Sequence, residues 1–320
     1  MDLSIIIINW NSADHIRNCL KSLHNNTQGI SLETIVVDNA SYDGSKEIIE
    51  NEFPEVIFVQ SSENLGFAKG NNLGFKYSKG DALLFLNPDT EILDDAIVKM
   101  FGNLQSIPNA GIVGCKLLNS DLSVQTSCIQ PFPTLLNQML DIERLKVAFP
   151  SWSLWGIKPL LDNNYIPEEV EVIPGACFMI HRSLFEKAGM FSSKYFMYTE
   201  DIDLCYRIRE YGYKAYYISN VSIVHHAGKS VLSQSADHFS SVLMRESVWK
   251  YFLNTKGQSY ANFYKITTTM AAIIRLCIIH LLLVIPVGLM NKESLRFSSS
   301  KWKKILRWSL GLEKWVREFD

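Results

Sequence analysis

A chain of 320 residues can hold one domain of about 250 residues with an appendage, or two ordinary domains. Its 47% apolar and 20% charged residues are those of a folded globular protein, and a net charge of -2 excludes a global attraction to nucleic acid. Any electrostatic function is therefore local.

The N-terminal stretch "MDLSIIIINW" has neither a basic segment nor a small-residue cleavage site, so no secretory signal and a cytoplasmic location are expected. Cys19, Cys115, Cys128, Cys177, Cys205 and Cys277 include no CxxC pair and read as small buried side chains in a reducing compartment, not as a zinc site or disulfide framework. Up to residue 117, short β-branched runs alternate with helical periodicity. "LSIIII" (3–8), "ETIVVD" (33–38), "EVIFVQ" (55–60), "DALLFL" (81–86) and "GIVGCKL" (111–117) predict strands buried on both faces. Residues 13–24, 44–52, 67–78 and 94–105 predict helices, for example through Ile16, Leu20 and Leu23. This alternation implies an α/β fold, a mainly parallel, Rossmann-like sheet with helices on both faces. Ligands of such sheets bind at the carboxyl ends of the strands, where this chain places "NWNS", "DNASYDGS", "SSENLGFAKGNN" and "NPDT".

Residues 119–171 are proline-rich and irregular, with a short helix expected near 134–147 and the aromatics Phe149, Trp152, Trp155 and Tyr165 packing beneath a loop. Strand then helix is expected for "EVIPGACFMIHRSLFEKAGMF", a helix closed by Gly212 for "TEDIDLCYRIREYG", and strands for "KAYYISNVSIVHH". The C-terminal part differs. Residues 266–290 are the most apolar, yet Arg275, His280 and Pro286 interrupt them, and residues 292–307 hold six Lys or Arg against one Glu, with Trp302 among them. A basic, Trp-containing stretch beside an apolar one predicts a helical region that associates with an anionic membrane, or serves a homodimer.

Several polar groups at the strand ends have the right chemistry for a nucleotide ligand. Asp38, closing the second strand, can accept a hydrogen bond from a base N–H; Gly66 permits close backbone approach, and the helix after it favours phosphate. The P-loop and dinucleotide fingerprints are absent. Asn87 and Asp89 of "NPDT" can stand beside a hard cation that takes its remaining ligands from phosphate and water. Glu200, Asp201 and Asp203 crowd a helix start, where an apolar setting raises a carboxylate toward the range of a general base, while Asp203 can pair with Arg207. His225 and His226 are candidates to ligate the same cation.

Taken in order, "SIIIINWNS", "VVDNASYDGS", "NLGFAKGNN", "LLFLNPDT", "IPGACFMIHRSLFEKAGMF", "FMYTEDIDLCYRIREYGYKAYY" and "HHAGKS" resemble inverting family 2 glycosyltransferases of the GT-A fold, particularly their rhamnosyltransferase-like branch, over about residues 3 to 230. The resemblance implies a GT-A domain over 1–240, with a nucleotide-binding half to about 117 and an acceptor-side half after it; the helical region expected over 241–320 rests on its own apolar and basic pattern. It implies Asp201 as catalytic base, and Asn9, Asn11, Asp38, Asn39, Gly66, Lys69, Asn87 and Glu200 on a nucleotide-sugar. It further implies Mg²⁺ or Mn²⁺ at the Asn87–Asp89 motif, with His225 and His226 as the further candidate ligands read from the sequence. Ser192-Ser193 stands where the branch commonly has Asp-Glu. The donor implied first is dTDP-rhamnose, with UDP-hexoses behind it, and the acceptor is a glycan or lipid-linked hydroxyl at the cytoplasmic face of the cell membrane. A nucleotidyltransferase would need a glycine-rich, basic triphosphate loop that "IIINWNSAD" does not supply, and an inactive scaffold would not need Asp38, Asp89 and Asp201 together.

Overall fold

The computed structural model describes residues 1–140, 148–161, 166–226, 238–284 and 292–319. The chain forms two compact units, Met1–Phe132 with Glu143–Phe196 and Glu200–Ser230, and Pro133–Ile142 with Met197–Thr199 and Val231–Asp320.

In the first unit, β1 (Leu3–Asn9) has every residue but Ile8 buried, as its run of isoleucines requires. Each such side chain contributes roughly 1.5–3 kcal/mol on leaving water. β1 pairs in parallel with both β2 (Leu32–Asp38) and β4 (Ala82–Leu86), and β3 (Ile57–Gln60) extends the parallel block beyond β2. The intervening helices are α1 (Ala13–Asn26), α2 (Ser45–Glu52) and α3 (Gly66–Tyr77). Ile16, Cys19, Leu20 and Leu23 bury one face of α1, and the Asp43 carboxylate accepts from the Ala13 amide at 2.8 Å, capping its free N-terminus.

Beyond β4 the sheet becomes mixed. After β5 (Thr90–Ile92), α4 (Ala96–Ser106), β6 (Ala110–Leu118), and the short helices α5 (Leu135–Met139) and α6 (Lys158–Leu161) come β7 (Glu168–Val170), β8 (Cys177–His181), α7 (Arg182–Lys187), α8 (Glu200–Glu210) and β9 (Lys214–His225). The strand order is β3-β2-β1-β4-β8-β6-β9-β5, with β7 also on β9. β8 runs antiparallel to β4 and β6, whereas β6 and β9 are parallel. The stretch "KAYYISNVSIVHH" forms one strand whose register jumps between the Cys115–Ile218 and Lys116–Ser222 pairs, a bulge that holds one long strand against β6. β5 and β7, three residues each, were not foreseen, being too short to show alternation.

α5 belongs to the second unit, capped by Thr134, whose hydroxyl accepts from the Asn137 amide; residues 141–147 of the expected helix lie outside the described residues. The unit's long helices are α9 (Phe239–Lys256), α10 (Gln258–Val284) and α11 (Lys292–Ser309), with Tyr251, Phe252, Tyr264 and Trp308 buried among them. The Trp308 indole N–H donates to the Glu246 carboxylate at 2.6 Å. Residues 285–290 of the apolar segment are outside the described residues.

Candidate active site

The parallel block brings the ends of β1 and β2 side by side, with Asn9 in register with Asp38. Asp38 is buried and held firmly. Asn9 Nδ2 donates to its Oδ1 at 2.8 Å, and the Ser41 amide and Gln60 Nε2 donate to Oδ2, each at 2.8 Å. Three of the roughly four lone-pair positions of the carboxylate are thus taken within the protein. Asn11 takes a positive φ of 49° and accepts from the Tyr42 amide at 3.0 Å. Asn39 donates to the Gly66 carbonyl at 3.0 Å. Asn9 Oδ1, Asn11 Nδ2 and Asn39 Oδ1 are buried without a partner. Buried amide atoms left unpaired cost about 1–3 kcal/mol each, so this cluster has the character of a polar ligand's seat.

Gly66 is used otherwise than expected. At φ +72°, a Cβ here would lie 2.1 Å from the Phe196 carbonyl oxygen, and the Phe67 amide next to it donates to that oxygen at 2.8 Å. The close approach this glycine permits is to the protein's own backbone. Lys69 is exposed on the first turns of α3.

The turn after β4 is tied down at both ends. The Asn87 amide donates to Ala176 O at 2.9 Å, and the Thr90 hydroxyl closes onto Asn87 O at 2.8 Å. β5 then pairs with β9, setting Thr90 opposite His225. This puts His225 Nε2 at 3.4 Å from both Asp89 Oδ1 and Asn87 Nδ2. Its other nitrogen, Nδ1, lies 3.0 Å from Gln125 Oε1, and Gln125 Nε2 donates to the His225 carbonyl at 2.6 Å. With its amide nitrogen so committed, Gln125 presents its oxygen to Nδ1–H, which turns Nε2 toward the carboxylate. A carboxylate and an imidazole nitrogen so opposed fit a cation between them when the cation takes the place of a proton on Nε2, with phosphate and water to complete its shell. Burial works to raise the Asp89 carboxyl, but the hydrogen bond and charge of His225 outweigh it and hold the group below its ordinary value.

His226 does not join this pair. Its Nε2 contacts Glu91 Oε1 at 2.8 Å, its Nδ1 contacts Ser120 Oγ at 2.7 Å, and its ring stacks on His15. His226 lies one residue past the end of β9, and its ring is taken up by Glu91 and Ser120, so it is His225 that reaches the Asp89 carboxylate. The structure thus sets His225 against Asp89 and His226 against Glu91.

Asp201 opens α8. Its Oδ2 accepts from the Gly175 amide and its Oδ1 from the Ile202 amide, both at 2.8 Å. Burial raises its carboxyl above the ordinary aspartate range, against the pull of those backbone donors. Glu200 beside it is buried, its Oε2 has no partner, and burial followed by the Asp201 charge pushes it well above the usual glutamate range. Asp203 is bound up structurally, 2.8 Å from Arg207 Nε and within reach of the Tyr195 hydroxyl. The segment before β8 joins the two halves of the site: Ala176 O holds Asn87, and Gly175 N holds Asp201. Gly175, Gln125, Gln60 and Ser41 are the supporting residues sequence reasoning missed. Gly175 had a signal in "IPGA", where a Cβ would meet the Phe67 ring at 3.0 Å; Gln125 had none.

Residues 4–189, more than half of the chain, match the glycosyl transferase family 2 domain. The low-salt glycan biosynthesis hexosyltransferase Agl10 of Haloferax volcanii is 32% identical over 212 residues, 65% of this chain and 62% of that protein. The N-acetylglucosaminyl-diphospho-decaprenol L-rhamnosyltransferase of Mycobacterium tuberculosis is 26% identical over 254 residues, 75% of this chain and 80% of that one. The mannosyltransferase PcManGT from Pyrobaculum calidifontis, solved with GDP-Man and Mn²⁺, superposes with a TM-score of 0.58 at 14% identity over 97% of this chain and 86% of its own. At that identity the structural likeness establishes the fold, which is GT-A. The chain belongs to glycosyl transferase family 2.

Proposed function

We propose that the protein is an inverting glycosyltransferase that moves a sugar from a nucleotide-sugar to an acceptor hydroxyl, with Asp201 as general base. The observation that carries this reading is the Gly175–Ala176 link, which sets a raised carboxylate beside a cation-fitting turn. Residues 1–117 hold the donor, residues 118–240 form the acceptor side, and 241–320 are the helical region. Asn9, Asn11 and Asn39 offer the base or ribose their unpaired amide atoms around Asp38. Asp201 takes the proton of the acceptor O–H as that oxygen bonds to the anomeric carbon; the bond to the diphosphate breaks on the opposite face, and the nucleoside diphosphate departs with the electron pair. Mg²⁺ or Mn²⁺ held by Asp89 and His225, with Asn87 beside them, would neutralise charge on that leaving group. Burial and the Asp201 charge raise Glu200 well above its ordinary range, which makes it the readier of the pair to hold a proton.

The relatives named for rhamnosyl and hexosyl transfer make dTDP-rhamnose the first donor to test and UDP-hexoses the second. The acceptor in this reading is a glycan or lipid-linked sugar at the cytoplasmic face of the membrane. A panel of nucleotide-sugars, assayed with and without EDTA for released nucleoside diphosphate, tests it. Release from dTDP-rhamnose that stops with chelator and returns with Mn²⁺ or Mg²⁺ is expected. A chain that cleaves no donor, or transfers with retention of configuration, overturns the proposal.

A further inference from the structure

In the second unit, α10 distributes its side chains in the reverse of the usual order for a helix facing water. Phe263, Ile266, Met270, Ile274, Ile278 and Leu281 are each between 51% and 62% exposed. They recur at i, i+3, i+7, i+11, i+15 and i+18, so that a turn of 100° per residue gathers them into one stripe about 27 Å long. Lys265 and Arg275, the cations of this helix, lie outside the stripe and rest on tryptophans. The Lys265 ammonium is 4.2 Å from the Trp249 ring centroid and 5.3 Å from that of Trp308, and the Arg275 guanidinium is 4.1 Å above Trp302. The exposed stripe thus carries no charge, while the packed side holds Thr267, Thr268 and both cations.

Charge identifies the occupant. The second unit contains thirteen Lys and Arg against seven Asp and Glu, a net +6, leaving -8 for the rest of a chain of -2 overall. On α11, Lys292, Arg296 and Lys303 are exposed at i, i+4 and i+11, along one line of that helix. An apolar stripe on a strongly cationic unit matches a surface that is apolar inside and anionic outside. A second copy of the same unit would bring +6 against +6.

Length alone would let the 27 residues of α10 cross a bilayer. Its packing argues against crossing. α11 returns antiparallel along it, with Trp308 beside Lys265, Ser309 Oγ 2.9 Å from Thr269 Oγ1, and Trp302 under Arg275. A spanning α10 would carry the lysines of α11 into hydrocarbon.

We infer that α10 lies in the plane of an anionic lipid surface, with the Phe263–Leu281 stripe immersed and the positive charge of the unit drawn to the headgroups. This deepens the membrane location proposed above and rests on it. Cys277, alone exposed among the six cysteines, lies on the stripe and serves as a native attachment point. The full-length chain is labelled with a nitroxide at Cys277, or at Ile266→Cys in a Cys277→Ser background, and mixed with vesicles of phosphatidylglycerol and phosphatidylcholine or of phosphatidylcholine alone. Binding to the anionic vesicles is expected, weakened at least about tenfold in pure phosphatidylcholine or in about 0.5 M salt. Both labels are expected at one depth, about 5–10 Å below the headgroups. Eleven residues of helix are about 16 Å long, so labels differing in depth by that distance would mean a span and overturn the inference while leaving the membrane location standing. Labels that stay in water on a bound chain also overturn it, and a chain that binds neither vesicle overturns the location as well. A dimer whose labels broaden each other's spectra without vesicle binding would assign the stripe to a second copy. Met270→Glu with Ile274→Glu, both at exposed positions, should lower vesicle affinity at least tenfold with the helical circular dichroism unchanged; unaltered binding overturns the inference.

Discussion

Asn87, two residues before Asp89, and Asp201 are tied to neighbouring residues of one segment, yet the turn after β4 keeps the Asp89 carboxyl below its ordinary range while the first turn of α8 holds that of Asp201 above it. Both are removed from water, which alone would raise both. The difference is the partner: Asp89 faces a histidine, whereas the hydrogen bonds to Asp201 among the described residues come from backbone amides, those of Gly175 and Ile202. The same residue type is thereby fitted to hold a cation at one place and to accept a proton at the other.

The sharpest way to break this contrast is Asp201→Asn, which keeps the shape and removes the base. A fall in kcat of about 10²- to 10⁴-fold, roughly 3 to 5 kcal/mol of barrier, is expected with donor binding retained; unchanged turnover removes Asp201 from the role. Because the base acts ionised and its value is raised, kcat/KM should climb with pH through a limb above the usual aspartate range near 3.8, a limb absent from whatever activity the Asn variant keeps. Asp89→Ala comes next. Nucleoside diphosphate binding should weaken by about 10²-fold and become indifferent to EDTA, as calorimetry with and without chelator would register. Gln125→Leu touches neither carboxylate but frees the His225 ring; a loss of about 10-fold in Mn²⁺ affinity is expected, and an unaltered affinity would mean that the ring needs no such support.

The smallest effect sharpens the contrast through stability. The Glu200 carboxyl is raised in the fold, so the stability it contributes is complete below about pH 4.5 and is lost as pH rises through its folded value. Glu200→Gln has no proton to lose. Its Tm should exceed the parent's by about 2–4 °C at alkaline pH, corresponding to about 1 kcal/mol, and converge on it in acid. A difference independent of pH would place the ionisation elsewhere.

The parallel block was legible because each of its segments states its own pattern. β1 is a run of isoleucines between polar ends, and α1 repeats apolar residues at 16, 20 and 23. The polar ends of β1, β2 and β4 marked the sheet edge that carries the site for the same reason. What escaped depends on contacts between segments distant in sequence. β5 has three residues and exists only because β9 pairs with it. Which of His225 and His226 meets Asp89 depends on their ring partners Gln125 and Glu91, which two adjacent letters do not reveal. Gln125 supports His225 across 100 residues from a segment with no periodicity. Gly66 was read as making room for a ligand, but only the placement of Phe196 reveals what it makes room for.

The order β6-β9-β5 has a consequence for how the protein is born. β5, immediately after Asp89, has β9 as its ladder partner, and β9 supplies His225 from its last residue. While the ribosome has yet to deliver residues 214–225, the nascent chain can assemble β1 to β4 from near neighbours, but the turn bearing Asp89 lacks both its strand and its histidine. The donor half can therefore take shape early, whereas the cation pair is completed only when the last strand docks, and an interrupted translation product keeps its asparagine cluster without the Asp89–His225 pair.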